Sequence, residues 1–244
     1  MSDKVSKRAV VLLSGGLDSA TTLYIARKQG NECYCLAFDY GQRHIREIQS
    51  AKKIAKKAGC PLEIIKIALP WKGSSLLDKR VQIQKGTRAP GQSFASLRIP
   101  FGSQDTSRVP NTYVPARNII FLSFALSFAE TIKAQAIFIG AHSQDYSGYP
   151  DCRPEFYQAF GKVVAVGTKA GIEKKYIKIK TPLISMGKAE IIKLGSRLGV
   201  PFALTWSCYR GGSLPCGSCD SCYYRAIGFK EAKIVDPILK VRIC

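Results

Sequence analysis

Ala9-Val10-Val11-Leu12-Leu13-Ser14-Gly15-Gly16-Leu17-Asp18-Ser19-Ala20-Thr21-Thr22-Leu23 is the stretch that decides the fold. Ala9 to Leu13 is a continuous apolar run that reads as a buried parallel strand, and Ser-Gly-Gly after it reads as a tight loop. Leu17 to Gln29 then has helical spacing, with Leu17, Ala20, Leu23 and Ile25 apolar and Gly30 stopping it. In an open α/β sheet, ligands bind where strands end. Two successive glycines let the backbone approach an oxyanion and present its N–H groups, and the following helix adds its positive dipole end. Ser14 and Ser19 can add hydroxyl hydrogen bonds, so a phosphate fits here without a lysine. Neither G-x-x-x-x-G-K-[ST] nor G-x-G-x-x-G follows this strand. The charge of Asp18 opposes phosphate, a conflict that a bridging Mg²⁺ would resolve. Ser14, Asp18 and Ser19 are the expected catalytic residues.

Outward from this junction the chain alternates. Cys33 to Phe38 reads as a strand, His44 to Ala58 as a helix closed by Gly59, and Leu62 to Ala68 as a third strand. Such a rhythm predicts a parallel sheet with right-handed crossovers. It breaks over 71–116, which is rich in Gly, Pro, Ser, Gln and Arg and reads as a long irregular insertion with the character of a lid. It resumes with a helix at Asn118 to Lys133, a strand at Gln135 to Gly140, a helix at Pro154 to Val166 and a strand at Tyr176 to Ile179. A last helix is expected from Gly187 to Leu198, capped by Ser185 and stopped by Gly199. The expected fold is therefore α/β: an open, Rossmann-like parallel sheet with helices on both faces. A nucleotide-binding domain would span 1–200, with a C-terminal zinc-binding segment, 201–244, packed on it.

Composition narrows the function classes. At 244 residues, 46% hydrophobic and 22% charged, the chain is neither disordered nor fibrous. Its longest strongly apolar stretch, Asn118 to Ala129, is too short for a bilayer, which needs roughly 20 apolar residues. The N-terminus shows no export signal, so a cytoplasmic protein without membrane attachment is expected. Lys and Arg number 37 against 17 Asp and Glu, a net charge of +20. That surface attracts anions in general. The basic residues form no long run, so a solvated basic surface is favoured over a dedicated RNA-binding face, and nucleic acid is not required.

Four of the nine cysteines, Cys208, Cys216, Cys219 and Cys222, give C-x7-C-x2-C-x2-C. In a reducing compartment such a cluster reads as metal ligation before disulfides. Four soft thiolates suit tetrahedral Zn²⁺ and leave no open position, which predicts a structural site. An iron–sulfur cluster uses the same ligands and stays open as an alternative. Arg210, Arg225 and Lys230 are near enough in sequence to offset the charge. Cys33 and Cys35 share a strand face and read as core.

The segment Gly140 to Phe156, GAHSQDYSGYPDCRPEF, follows the fourth strand at the same sheet edge as the glycine loop. Its carboxylates, tyrosines and arginine could hold a flat, guanine-like heterocycle. Asp145 and Asp151 are assigned to the ring edge, Tyr146 to stacking, and Arg117 or Arg153 to a substrate carboxylate. Cys152 is a further candidate contact.

The loop SGGLDS resembles the pyrophosphate-binding signature of the adenine-nucleotide α-hydrolase-like ATP pyrophosphatases. That resemblance implies cleavage of ATP to AMP and pyrophosphate with an adenylated substrate oxygen. More of the chain resembles one family within that group, the 7-cyano-7-deazaguanine synthases of queuosine and archaeosine precursor biosynthesis. The matching segments are LLSGGLDSATTL, DYGQRHIREI, VPARNIIFLSFALSFAE, GAHSQDYSGYPDCRPEF, KTPLISMGKAEI and TWSCYRGGSLPCGSCDSCYYRAIGF. The resemblance implies ATP binding at Leu13, Ser14, Gly15, Gly16, Leu17, Asp18, Ser19, Ala20, Thr21, Thr22 and Leu23, and zinc at the four cysteines. It further implies small-molecule substrates (7-carboxy-7-deazaguanine, ammonia and ATP) and a homodimer. Alternatives are a tRNA-modifying ATP pyrophosphatase, a relative attaching a deazaguanine to a macromolecule, and a non-catalytic nucleotide- or nucleic-acid-binding module.

Overall fold

The apolar run after Arg8 is the centre of a parallel sheet. A computed structural model describes residues 7–42, 46–70, 74–78, 80–82, 109–142 and 149–240. In it β1 (Lys7–Leu12) lies between β2 (Asn31–Asp39) and β4 (Ala136–Phe138), with β3 (Leu62–Lys66) outside β2 and β5 (Lys178–Lys180) outside β4. All four pairings are parallel. Burial on both faces is why β1 is apolar without alternation. Ala9, Val11 and Leu13 face one core together with Cys33, Cys35 and Phe138. Val10 and Leu12 face the other, with Leu36, Phe38 and Ile137.

Helices cover both faces, as the fold expectation required. The first core is closed by α1 (Leu17–Lys28), α2 (Arg46–Ala58), α6 (Lys188–Arg197) and α7 (Asp220–Ala232). The second is closed by α3 (Arg117–Thr131) and α4 (Pro154–Gly167). The short α5 (Lys169–Ile172) follows α4, and α8 (Pro237–Lys240) ends the described chain. From β1 the chain first builds outward through β2 and β3, then returns to the other side with β4 and β5. That reversal opens a crevice at the carboxyl ends of β1 and β4.

Two local expectations need correction. Helix α6 is opened by Gly187 rather than Ser185: the Glu190 carboxylate accepts from the Gly187 amide at 2.7 Å, which fixes the first turn. The C-terminal segment is not only a loop, because α7 starts directly after Cys219 and carries Cys222. Its apolar residues, among them Tyr223, Ile227 and Phe229, form no single stripe, so periodicity does not announce it. The ends of the 71–116 insertion meet, with the Ser75 amide donating to the Asn111 carbonyl at 2.8 Å. Residues 83–108, most of the expected lid, lie outside the described residues. Among the described residues no helix is long and apolar enough to cross a membrane.

Leu122 of α3 is fully buried beneath the sheet. Leu122→Ala should cost about 2–5 kcal/mol in urea unfolding, whereas Val166→Ser at an exposed position should stay within about 0.5 kcal/mol.

Candidate active site and cysteine centre

The loop between β1 and α1 holds itself open by short internal bonds. The Ser14 hydroxyl donates to Ser19 Oγ at 3.1 Å and accepts from the Gly16 amide at 3.3 Å, while Ser19 Oγ donates to the Gly16 carbonyl at 3.0 Å. Gly15 has φ +87°, and a Cβ there would overlap the Glu47 carbonyl of α2. Glycine is thus required both by conformation and by the approach of α2. On the other side, the Trp206 amide donates to the Gly15 carbonyl at 2.9 Å. The first amides of α1 have no partner inside the helix, which suits an anion.

Asp18 is paired within the protein. Lys188, at the start of α6, places Nζ 2.8 and 2.9 Å from the two oxygens of Asp18 and 2.9 Å from His142 Nε2. Burial raises the Asp18 carboxyl, but Lys188 and His142 outweigh it and hold the group well below the usual carboxylate range. The lysine comes from 170 residues further along the chain. Gly228 of α7 allows it to sit there, because a Cβ at that position would overlap Lys188 Cγ and stand 2.9 Å from Ile192 Cδ1.

One cavity of about 270 Å³ opens at the crevice. Leu13, Ser14, Gly16, Asp18 and Ser19 line it. Ala20, Thr21, Thr22 and Leu23 are instead buried on the core side of α1, and Gly15 and Leu17 are buried beside them. Of the two arginines, Arg117 lines the cavity and Arg153 does not. Asp151 is also absent from the wall: it is buried, and its Oδ2 accepts from the Asn118 amide at 2.9 Å, capping α3. Asp145 and Tyr146 lie outside the described residues. Cys152 does line the cavity, with Asn118 Nδ2 donating to its sulfur at 3.1 Å.

Sequence reasoning missed much of the wall. Tyr40 and Glu47 come from the segment DYGQRHIREI, which was quoted for its resemblance without assigned roles. Trp206, Ser207, Tyr209 and Ser221 come from the cysteine segment, so that segment shapes the cavity. The signal was their interleaving with Cys208 and Cys222.

The four sulfurs of Cys208, Cys216, Cys219 and Cys222 lie within 4.8 Å of one another, with 3.9 Å between Cys216 and Cys222. A tetrahedral zinc with Zn–S of about 2.3 Å places sulfurs about 3.8 Å apart, so the donor set fits a single ion. A four-iron cubane would hold its thiolates wider apart. Backbone amides complete the site: Arg210 and Cys216 donate to Cys208 Sγ at 3.4 and 3.3 Å, and Ser218 and Cys219 donate to Cys216 Sγ at 3.5 and 3.3 Å. Arg225 does not serve the sulfurs. It is buried and pairs with Asp236 at 2.6 Å while donating to Thr205 Oγ1 at 2.8 Å, which ties α7 to the tail. Trp206 Nε1 donates to the Cys208 carbonyl at 3.0 Å, and Arg46 stacks over its ring at 4.7 Å.

Residues 8–233 match the family described as queuosine biosynthesis protein QueC. The chain is 52% identical over 233 residues to the 7-cyano-7-deazaguanine synthase 2 of Desulfitobacterium hafniense (strain Y51), covering 95% of this chain and 92% of that relative. It is 48% identical over 234 residues to the 7-cyano-7-deazaguanine synthase of Trichodesmium erythraeum (strain IMS101), covering 95% and 100%. Among solved structures, NMN synthetase from Francisella tularensis aligns with 97% of this chain and 82% of its own at a TM-score of 0.47 and 13% identity.

The depressed Asp18 carboxyl contributes stability above its ordinary, unfolded-state range, and that contribution is lost as pH falls through the folded value. Lys188→Met leaves burial to dominate, so acid unfolding should begin at higher pH than in the wild type, as followed by circular dichroism. With the four sulfurs as a metal site, native mass spectrometry should find one ion on the wild type and none on Cys216→Ser, whose Trp206 emission should shift.

Proposed function

The chain belongs to the family of queuosine biosynthesis protein QueC, and from that premise we propose that it converts 7-carboxy-7-deazaguanine and ammonia to 7-cyano-7-deazaguanine at the expense of two ATP. The observation that carries this reading is that an anion-receiving loop and a cationic Arg117 share one cavity. A polyphosphate and a substrate carboxylate can therefore meet there.

A carboxylate is a poor electrophile, because oxide will not leave. Transfer of AMP from ATP to a carboxylate oxygen supplies a leaving group. The loop from Ser14 to Ser19 receives the departing pyrophosphate as charge develops on it, with Lys188 beside Asp18 keeping the local charge balanced. Arg117 holds the acid in line for transfer. Ammonia then displaces AMP and leaves a primary amide. A second ATP adenylates the amide oxygen, and loss of AMP with protons from nitrogen gives the nitrile. One site serves both rounds, since the oxygen to be adenylated occupies the same place in the acid and the amide. The protein thereby acts as a C–N ligase.

Cys208, Cys216, Cys219 and Cys222 would hold zinc, which supplies no reacting position and fixes the loop carrying Trp206, Ser207 and Tyr209. Magnesium would arrive with the nucleotide. The substrates are small molecules, and the basic surface favours their anionic forms.

Mass spectrometry of the protein incubated with 7-carboxy-7-deazaguanine, ammonia and ATP should show the amide and then the nitrile, with AMP as co-product. Asp18→Ala or Ser14→Ala should abolish exchange of pyrophosphate into ATP without unfolding the chain. Undiminished exchange in both variants would remove the loop from the mechanism.

A further inference from the structure

Between ammonia and a nitrile, nitrogen surrenders three hydrogens: one as the amide forms and two as the amide becomes the nitrile. Each round therefore needs a proton acceptor at the reacting nitrogen. The carboxylates near the cavity are not equally available. Asp18 has both oxygens on Lys188, and Asp151 caps α3.

Glu47 differs from both. It lines the cavity from the first turn of α2, where its backbone carbonyl abuts Gly15 of the phosphate loop. No hydrogen bond to its carboxylate exists among the described residues. Arg117 of α3 and the sulfur of Cys208 are the charged groups that act on it, and Tyr40 and Asp18 line the same cavity. Burial pushes the carboxyl up to about 7, with Arg117 pulling it down and Cys208 adding to the rise. A carboxylate on the cavity wall, fixed to the first turn of a helix and without a hydrogen-bonded partner among the described residues, suits repeated proton acceptance.

We propose that Glu47 accepts the protons released from nitrogen in both rounds, a role that rests on the ATP-driven amide and nitrile formation above. In the first round the ammonia lone pair forms the C–N bond. The C–O bond to AMP breaks, its electron pair leaves on AMP, and one N–H proton passes to Glu47. In the second round the adenylated amide loses AMP in the same way. The nitrogen gives up its two protons in turn as the triple bond forms, and Glu47 passes each to solvent.

The test separates adenylation from nitrogen chemistry in the full chain. Glu47→Gln should retain pyrophosphate exchange with 7-carboxy-7-deazaguanine, in the absence of ammonia, within about threefold of wild type. With ammonia present, amide and nitrile formation should each fall about 10²-fold or more, the range of a lost general base. Glu47→Asp, with its carboxylate on a shorter stem, should recover part of both. Equal loss of exchange and nitrile formation in folded Glu47→Gln overturns the assignment, because Glu47 then serves adenylation. Unimpaired amide and nitrile formation overturns it too. If circular dichroism shows Glu47→Gln unfolded, Glu47→Asp decides by the same split, and parallel loss of both activities overturns the assignment. Absence of exchange in the wild type sinks the underlying reading and Glu47's role with it.

Discussion

A partly buried carboxylate at the mouth of the β1–α1 loop keeps its charge most easily when that charge is balanced from within the protein. Lys188 does this for Asp18, and several features of the fold exist around that contact. The lysine begins α6, and α6 must lie close to α1 for its ammonium to reach the loop. Gly195 permits that approach, since a Cβ there would meet Phe202 Cζ at 2.5 Å and Thr21 Oγ1 at 2.9 Å. Gly228 permits the matching approach of α7. Two glycines within helices each carry an intrinsic cost of up to about 1 kcal/mol relative to alanine, and the packing they allow places one ammonium group.

The same neighbourhood joins the metal centre to the chemistry. Trp206 bonds to Gly15 through its amide and to the Cys208 carbonyl through its indole. The β1–α1 loop, the aromatic wall and the thiolate cluster are thus consecutive links of one short chain of contacts. A disturbance of the four sulfurs would propagate directly to that loop.

The sheet was legible because each strand is a compact apolar run bounded by turn residues, and the order of strands and helices follows from that rhythm. The cluster of four sulfurs was legible because cysteine spacing is a local pattern. The lysine was not legible, because nothing near residue 188 indicates that α6 packs beside α1 and brings its first residue to Asp18. The cap made by Asp151 was not legible for a related reason. Its bond to the unpaired amides at the start of α3 joins positions 33 residues apart, which no local pattern announces. Glu47 was hidden inside an amphipathic helix whose four lysines face solvent, and it reaches the cavity wall from the first turn.

Interleaving has an evolutionary price tag of its own kind. Trp206, Ser207 and Tyr209 flank Cys208, and Ser221 precedes Cys222, so residues that line the cavity share a few backbone units with the clustered sulfurs. Lengthening or shortening this stretch would move wall and sulfurs together. Exchange of a single side chain at fixed length would reshape the wall and leave the four sulfurs in place.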